Sequence, residues 1–312
     1  MTEQTGAIEA GVALERRKST GLWGDAFRRL IRNRLAILGG LFVIFLALTA
    51  AIGPMVTPWD YRDQHTQEVI SNRNRPLEPM QQVEGLDHVH VLGTDNLGRD
   101  ILSRMIFGAR VSLIVAGVGL VLGAGLGTTL GVIAGYFGGL VDTLIMRTCD
   151  AFLSFPIILF ALVLAVGIGP SMGVIILAVV LVIWARFARM ARGEVLTWKE
   201  RDFVYYAQMV GVPHHRIILR HILPNILNTL VVLFTLQIAW VILVEAALSF
   251  LGAGVPPPAP SWGGMIARGR EYITSAWWFS TFPGLAIVLT CLSVNLFGDW
   301  LQQRLDPRLR QV

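Results

Sequence analysis

Charge is scarce in this chain, and lysine is almost missing from it. Of 312 residues, 15% are charged against 54% hydrophobic, and the mean hydropathy is +0.60. A soluble domain of this length needs a polar surface that so little charge does not supply, so the composition points to a membrane protein. The two lysines, Lys18 and Lys199, do not follow a glycine. The GxxxxGK[ST] loop that cradles nucleotide phosphates is therefore absent, and the chain is not its own P-loop ATPase. No HExxH or Cys/His zinc spacing occurs either, so no hydrolytic metal site is visible. The two cysteines, Cys149 and Cys291, lie in or beside apolar runs, which excludes a disulfide or metal framework. The net charge is +5, but Lys and Arg gather beside the apolar runs as orientation signals do, so no nucleic-acid partner is expected.

What is present is a series of uncharged runs, each near the roughly 20 residues that cross a bilayer. The first 34 residues carry Arg16, Arg17, Lys18, Arg28, Arg29, Arg32 and Arg34, and the apolar run from Leu35 is too long for a signal-peptide core. This predicts an uncleaved first span, Leu35 to Val56, behind a cytoplasmic segment of residues 1–34. The second predicted span is Val111 to Leu140. A third starts near Leu140, with a kink at Pro156, and ends at the break Gly167-Ile-Gly-Pro-Ser171. The fourth is Met172 to Ala185, the fifth Ile222 to Val244 and the sixth Thr281 to Gly298. The six-helix domain then covers residues 35–302, with an outer loop at 57–110, an inner loop at 186–221 and a cytoplasmic tail at 303–312. Seventeen Lys and Arg fall on the inner side of this arrangement and eight on the outer, as the positive-inside rule requires. Trp277-Trp278-Phe279 reads as an interfacial belt at the outer edge of the sixth span.

Several side chains stand out within that frame. Gly119, Gly123, Gly127, Gly131 and Gly135 recur every four residues, about one turn, and so form one stripe on the second span. Such stripes let helix backbones approach closely, which places this helix in the centre of a bundle. Asp142, Arg147 and Asp150 read as mutually paired charges near the inner interface. Glu245, at membrane depth or near its outer boundary, is either a gate or pathway residue or the partner of a backbone amide or arginine. The four histidines at 88, 90, 214 and 215 read as solvated.

The inner segment Arg192 to Asn225, RGEVLTWKERDFVYYAQMVGVPHHRIILRHILPN, is polar yet patterned for helix. Asp202 is placed to cap a helix from Phe203, Gly211 suits a left-handed C-cap, and Pro213 suits the first turn of a second helix. The resulting elbow is either a contact for a soluble motor or a plain surface loop. The outer segment HVLGTDNLGRDILSRMIFGARVSL, His90 to Leu113, reads as a turn over Gly93 to Gly98, with Asp100 capping an amphipathic helix lying on the membrane. Asp95 and Asp100 lack the rest of a calcium loop.

These segments resemble one family. The inner segment is similar to the cytoplasmic loop of binding-protein-dependent ATP-binding-cassette permeases: Ala207, Gly211, Leu223 and Pro224 match, while Tyr205 and Tyr206 stand where the family usually has Glu and Ala. The outer motif, carried by Gly93, Thr94, Asp95, Gly98, Arg99 and Asp100, resembles the hallmark of the second permease of dipeptide, oligopeptide and nickel importers, as does EAALSFLGAGVPPPAPSW from Glu245 to Trp262. The resemblance implies the six-helix type I importer permease fold in a bacterial inner membrane. It also implies a related second permease, two cytoplasmic ATPases that bind the ATP and Mg, and an extracytoplasmic binding protein. This chain would hold no cofactor of its own. Peptides are the implied cargo, with nickel complexes or glutathione-like compounds as the alternative. An autonomous secondary transporter would need ionisable relays at mid-membrane, and the span centres carry none.

Overall fold

The computed structural model describes residues 33–57, 59–65, 75–81 and 89–305. The N-terminal basic residues before Asn33, His88 and the end of the tail lie outside these residues. Apart from one isolated bridge between Thr94 and Asp100, the described residues form helices and loops. Helix α1, Arg34–Val56, starts at Asn33, whose side chain accepts from the Ala36 N–H. Helix α2 is Ile101–Phe137, α3 Gly139–Ser154, α4 Ile157–Ile168 and α5 Met172–Lys199. The short helices α6, Asp202–Met209, and α7, His214–Ile217, lead through a π-helical stretch, Ile218–Ile222, into α8, Leu223–Phe250. Helix α9 is Trp262–Gly269 and α10 is Trp278–Leu305.

Five stretches are long and apolar enough to cross a membrane: α1, α2, α5, α7 with α8, and α10. A sixth crossing exists if α3 and α4, bent by 86°, are one broken span. The expected boundaries move in several places, each for a local reason. Asp100 caps α2 once, and no proline follows, so the amphipathic segment and the second span are one 37-residue helix and not an elbow plus a span. At about 55 Å this helix exceeds the bilayer core. Pro156 does more than kink the third span: Phe155 and Pro156 are both extended, as the residue before a proline prefers, and the helix breaks there. The fourth span does not stop at Ala185, because Arg186, Arg189 and Arg192 sit at three-residue spacing along a helix that runs on to Lys199. Residues 186–199 of the expected inner loop are thus helical. The fifth span starts earlier, with Pro224 in the first turn of α8 and the π stretch before it. The sixth is longer at both ends and contains Pro283.

The core runs along α2, α5 and α8, with Val115, Leu120, Ile175, Ile183, Phe187 and Ile242 all buried. The most extensive pairing is α2 with α5. It follows the glycine stripe: a Cβ on Gly119 would stand 2.7 Å from Val179 Cγ1, and one on Gly123 2.7 Å from Ile183 Cγ2. At Gly127 and Gly131 the obstacle is backbone, the carbonyl oxygens of Trp184 and Ala188. Van der Waals contact holds this seam together, since lipid gives helices no hydrophobic reason to associate. Helix α10 closes the bundle against α1, α8 and α9. Trp278 and Phe279 are buried there against Ile101 and Met265, so only Trp277 of the aromatic trio is exposed.

Candidate functional site

The elbow is built from α6, a tight turn and α7. Asp202 is the first residue of α6 and does not cap it; Arg201 holds the cap position without a side-chain bond. At the other end Gly211 has φ +81°, the left-handed conformation that favours glycine. The Gly211 N–H donates to the Gln208 carbonyl at 3.0 Å and the Val212 N–H to the Ala207 carbonyl at 3.0 Å. These two bonds are a Schellman motif, and Val212 and Ala207 both rest against the main core as that motif expects. Val204, Ile217 and Ile222 are fully buried beneath the turn. Tyr205, Tyr206, Met209 and Val210 point outward, Val210 with 83% of its surface exposed. A polar hairpin thus carries an apolar tip that nothing among the described residues covers. Leu223 and Pro224 sit farther back, at the start of α8.

The elbow and the end of α5 are both tied to the end of α2, by contacts that no local sequence pattern announces. The buried Tyr136 places its hydroxyl 2.7 Å from Nδ1 of His214 on α7. Lys199, ending α5, donates from Nζ to the Tyr136 carbonyl at 2.6 Å. His214 is therefore not simply solvated. The partners lie 78 and 63 residues apart, beyond any local pattern.

The outer motif folds into a compact cap over the start of α2. Asp95 receives the N–H groups of Leu97 and Arg99 and pairs with Arg99 Nε at 2.7 Å; Arg104 Nε lies 3.8 Å from the same carboxylate. Gly93 and Gly98 take positive φ, and a Cβ on either would strike backbone, of Leu77 and His65 respectively. The Thr94 hydroxyl accepts from the Leu77 N–H at 2.8 Å. Asp100 accepts from the Ser103 N–H at 2.7 Å and lies 3.0 Å from His90 Nδ1, so His90 is a buried partner and not a solvated side chain. Burial raises the Asp100 carboxyl, but the hydrogen bonds to His90 and Ser103 outweigh it and hold the group below its ordinary value.

Glu245 is fully buried where α8 meets α2. Ser112 donates to its Oε2 at 2.8 Å and Ser249 to its Oε1 at 2.8 Å, so its partners are hydroxyls and not an arginine. The inner charges also pair differently from expectation. Asp142 binds Arg192 through both oxygens at 2.5 and 2.6 Å, and Asp150 binds Arg189 at 2.5 Å. These pairs join α3 to α5; Arg147 takes no part. One serine, Ser171, stands in a Gly169-Pro-Ser-Met-Gly173 spacing that a hydrolase nucleophile also uses. Here it joins two helices and caps α5, accepting from the Val174 N–H at 3.2 Å, with no histidine hydrogen-bonded to it among the described residues.

This arrangement has relatives. Residues 127–311 match the family described as binding-protein-dependent transport system inner membrane component, and residues 21–76 match the N-terminal TM domain of oligopeptide transport permease C. A Brucella abortus protein provisionally named a peptide transport system permease is 41% identical over 91% of this chain and 91% of its own length. The dipeptide transport system permease protein DppC of Alkalihalophilus pseudofirmus is 39% identical over 92% and 90%. The glutathione transport system permease protein GsiD of Pectobacterium atrosepticum is 37% identical over 92% of each. With its apolar helices and inner-membrane relatives, the chain belongs to the binding-protein-dependent transport family as a permease component of the inner membrane.

Proposed function

We propose that this chain is one of two related permeases in an ATP-driven importer that carries dipeptides or oligopeptides into the bacterial cytoplasm. The elbow carries the reading: an apolar tip of Tyr205, Tyr206, Met209 and Val210 on a rigid Schellman turn, anchored to the core by Val204 and Ile217. Such a tip is a docking surface for a soluble ATPase, and its tyrosines make that contact apolar where the family's usual glutamate would make it acidic. ATP and Mg would be held by two such ATPases. Their closure would push the elbow and rock the bundle from outward to inward access. The excess of Lys and Arg on the elbow side supports six spans with both ends inside and the outer motif toward the binding protein. The outer loop, the inner loop around the elbow and the terminal segments follow from that orientation. Glu245 acts as a joint between α2 and α8, and it could open a gate only by leaving Ser112. Peptide cargo is supported by relatives named for peptides and dipeptides; the glutathione relative supports the alternative.

The test is reconstitution in liposomes with the partner permease, both ATPases and the binding protein, comparing wild type with Gly211→Val. A β-branched residue at φ +81° strains the turn by about 1–2 kcal/mol even though the space around it is open. Peptide-loaded binding protein is expected to stimulate ATP hydrolysis in wild type and not in the variant. Stimulation by glutathione or a nickel complex alone would change the cargo and keep the mechanism. Transport without any ATPase would refute the reading.

A further inference from the structure

Helix α5 carries three arginines on successive turns, and they are treated differently. Arg189 and Arg192 face α3, where Asp150 and Asp142 neutralise them. Arg186 faces α8 and has no carboxylate partner among the described residues. Its guanidinium stacks over the Trp240 ring, Cζ 3.9 Å from the centroid, and Nη1 donates to Gln237 Oε1 at 3.1 Å. Nε and Nη2 have no partner among the described residues, yet neither is among the buried nitrogens left without one, so both reach the surface that those residues form.

Depth makes this arrangement costly. At 1.5 Å per residue, Arg186 lies about 21 Å along α5 from Met172, so with Met172 at one edge of a hydrocarbon core of about 30 Å the guanidinium would fall within it. A cation there is not turned toward lipid; it faces protein or a water-filled path. The surface toward the inner side is open as well: Met190, one turn on, is exposed, and nothing stands within 4 Å of a Cβ on Gly193. The indole and the amide fix the guanidinium plane and leave the Nε–Nη2 edge free among the described residues. That edge matches a carboxylate, which it can grip through two parallel N–H bonds.

We propose that Arg186, positioned by Trp240 and Gln237, is a station on the translocation path that receives a free carboxylate of the cargo. The inference rests on the peptide-importer reading and deepens it: every unmodified peptide carries such a group at its C-terminus. The cation gives the cargo an electrostatic partner at the depth where the bilayer would otherwise oppose a charge. Nε and Nη2 give it a direction, with the C-terminus held at α5.

The experiment uses the complete reconstituted importer and two probes, trialanine and its C-terminal amide. Each is loaded to equal occupancy on the binding protein, and uptake is measured per ATP hydrolysed. Wild type is expected to move the acid about tenfold or more faster than the amide, the scale of one charge-assisted hydrogen bond. Arg186→Gln should bring the acid down to the amide rate, and Arg186→Lys, which keeps the charge without the planar fork, should fall between. An acid-to-amide ratio that is unchanged in Arg186→Gln overturns the proposal, even if both rates drop, because a purely structural anchor would slow both probes alike. Equal rates for the two probes in wild type overturn it too. A wild-type importer that moves neither probe, while another cargo stimulates it, is the separate failure of the peptide reading and removes this inference with it.

Discussion

Replacing Gly131 with alanine adds one methyl group to the seam between α2 and α5, and the structure allows the cost to be worked out. The new Cβ would lie 2.8 Å from Ala188 Cα and 2.9 Å from its carbonyl carbon, and closer still to the carbonyl oxygen, where ordinary contact begins at 3.4 Å. The obstacle is backbone, so no rotamer change relieves it. The helices must part by about 0.6 Å or more. A gap of that size forfeits roughly a quarter of the dispersion energy of each contact along the seam. Overpacking of this kind costs about 1–3 kcal/mol, and the rigid obstacle places Gly131→Ala toward the upper end. Gly125 on the same helix is the control, since nothing stands within 4 Å of a Cβ there. Thermal unfolding of the purified protein in nanodiscs should show a midpoint lowered by about 4–10 °C for Gly131→Ala, on the scale of domains of 150–250 residues. Gly125→Ala should leave it nearly unchanged. Equal midpoints for the two variants would refute the view that the stripe is a close-packed seam.

Three further outcomes follow from single contacts. Glu245→Leu strips Ser112 and Ser249 of their acceptor and should destabilise the fold by about 2 kcal/mol, whereas Glu245→Gln keeps an acceptor and should cost under about 1 kcal/mol; equally mild losses in thermal unfolding would contradict the joint. The Asp100 carboxyl titrates below its ordinary 3.8 in the folded chain, so its contribution is present above that value and lost as pH falls through the folded one. Protection of the Ser103 amide, measured against its intrinsic exchange rate, should therefore be kept down to the ordinary value of 3.8 and fall as pH drops below it in wild type but not in Asp100→Asn, and a flat wild-type profile would count against the cap. Tyr136→Phe removes the contact with His214 and keeps the ring; the loss of about 1 kcal/mol should speed proteolytic cleavage at the Gly211 turn about fivefold, and an unchanged rate would show that the elbow does not depend on it.

The features legible in the sequence are those whose cause is local. The glycine stripe, the left-handed Gly211 and the Asp100 cap each rest on spacing or on one residue's conformational range, and each is found where expected. The misreadings have distant partners. Asp142 and Asp150 look paired with Arg147 because it is near in sequence, but helix α5 supplies Arg192 and Arg189 from 50 and 39 residues away. Arg186 looks like the start of a loop because a charge normally ends an apolar run, but the helix continues to Lys199 and Trp240 and Gln237 of α8 hold the guanidinium. Trp278 and Phe279 look interfacial by composition, yet Ile101 and Met265 enclose them.

The same long-range contacts explain how a push on the elbow could reach the path. Tyr136 fastens His214 of the elbow to the end of α2, and Lys199 fastens the end of α5 to the same tyrosine. Those two helices cannot slide independently, because Gly127 and Gly131 seat one backbone directly against the other. Displacement of Gly211 is therefore expected to move α2 and α5 as one lever, with the Asp142–Arg192 and Asp150–Arg189 pairs carrying α3 along. Arg186 rides on that lever, while Gln237 and Trp240 belong to α8, whose contact with α2 is fixed by Glu245. Motion of the lever must either carry α8 with it, preserving the grip on Arg186, or strain the Arg186 contacts and reorient the guanidinium. Only the second would link release of a held carboxylate to the ATPase stroke, and a cross-link between α5 and α8 beside Arg186 separates them: it would arrest a stroke that releases cargo by parting the helices and spare one that moves them together.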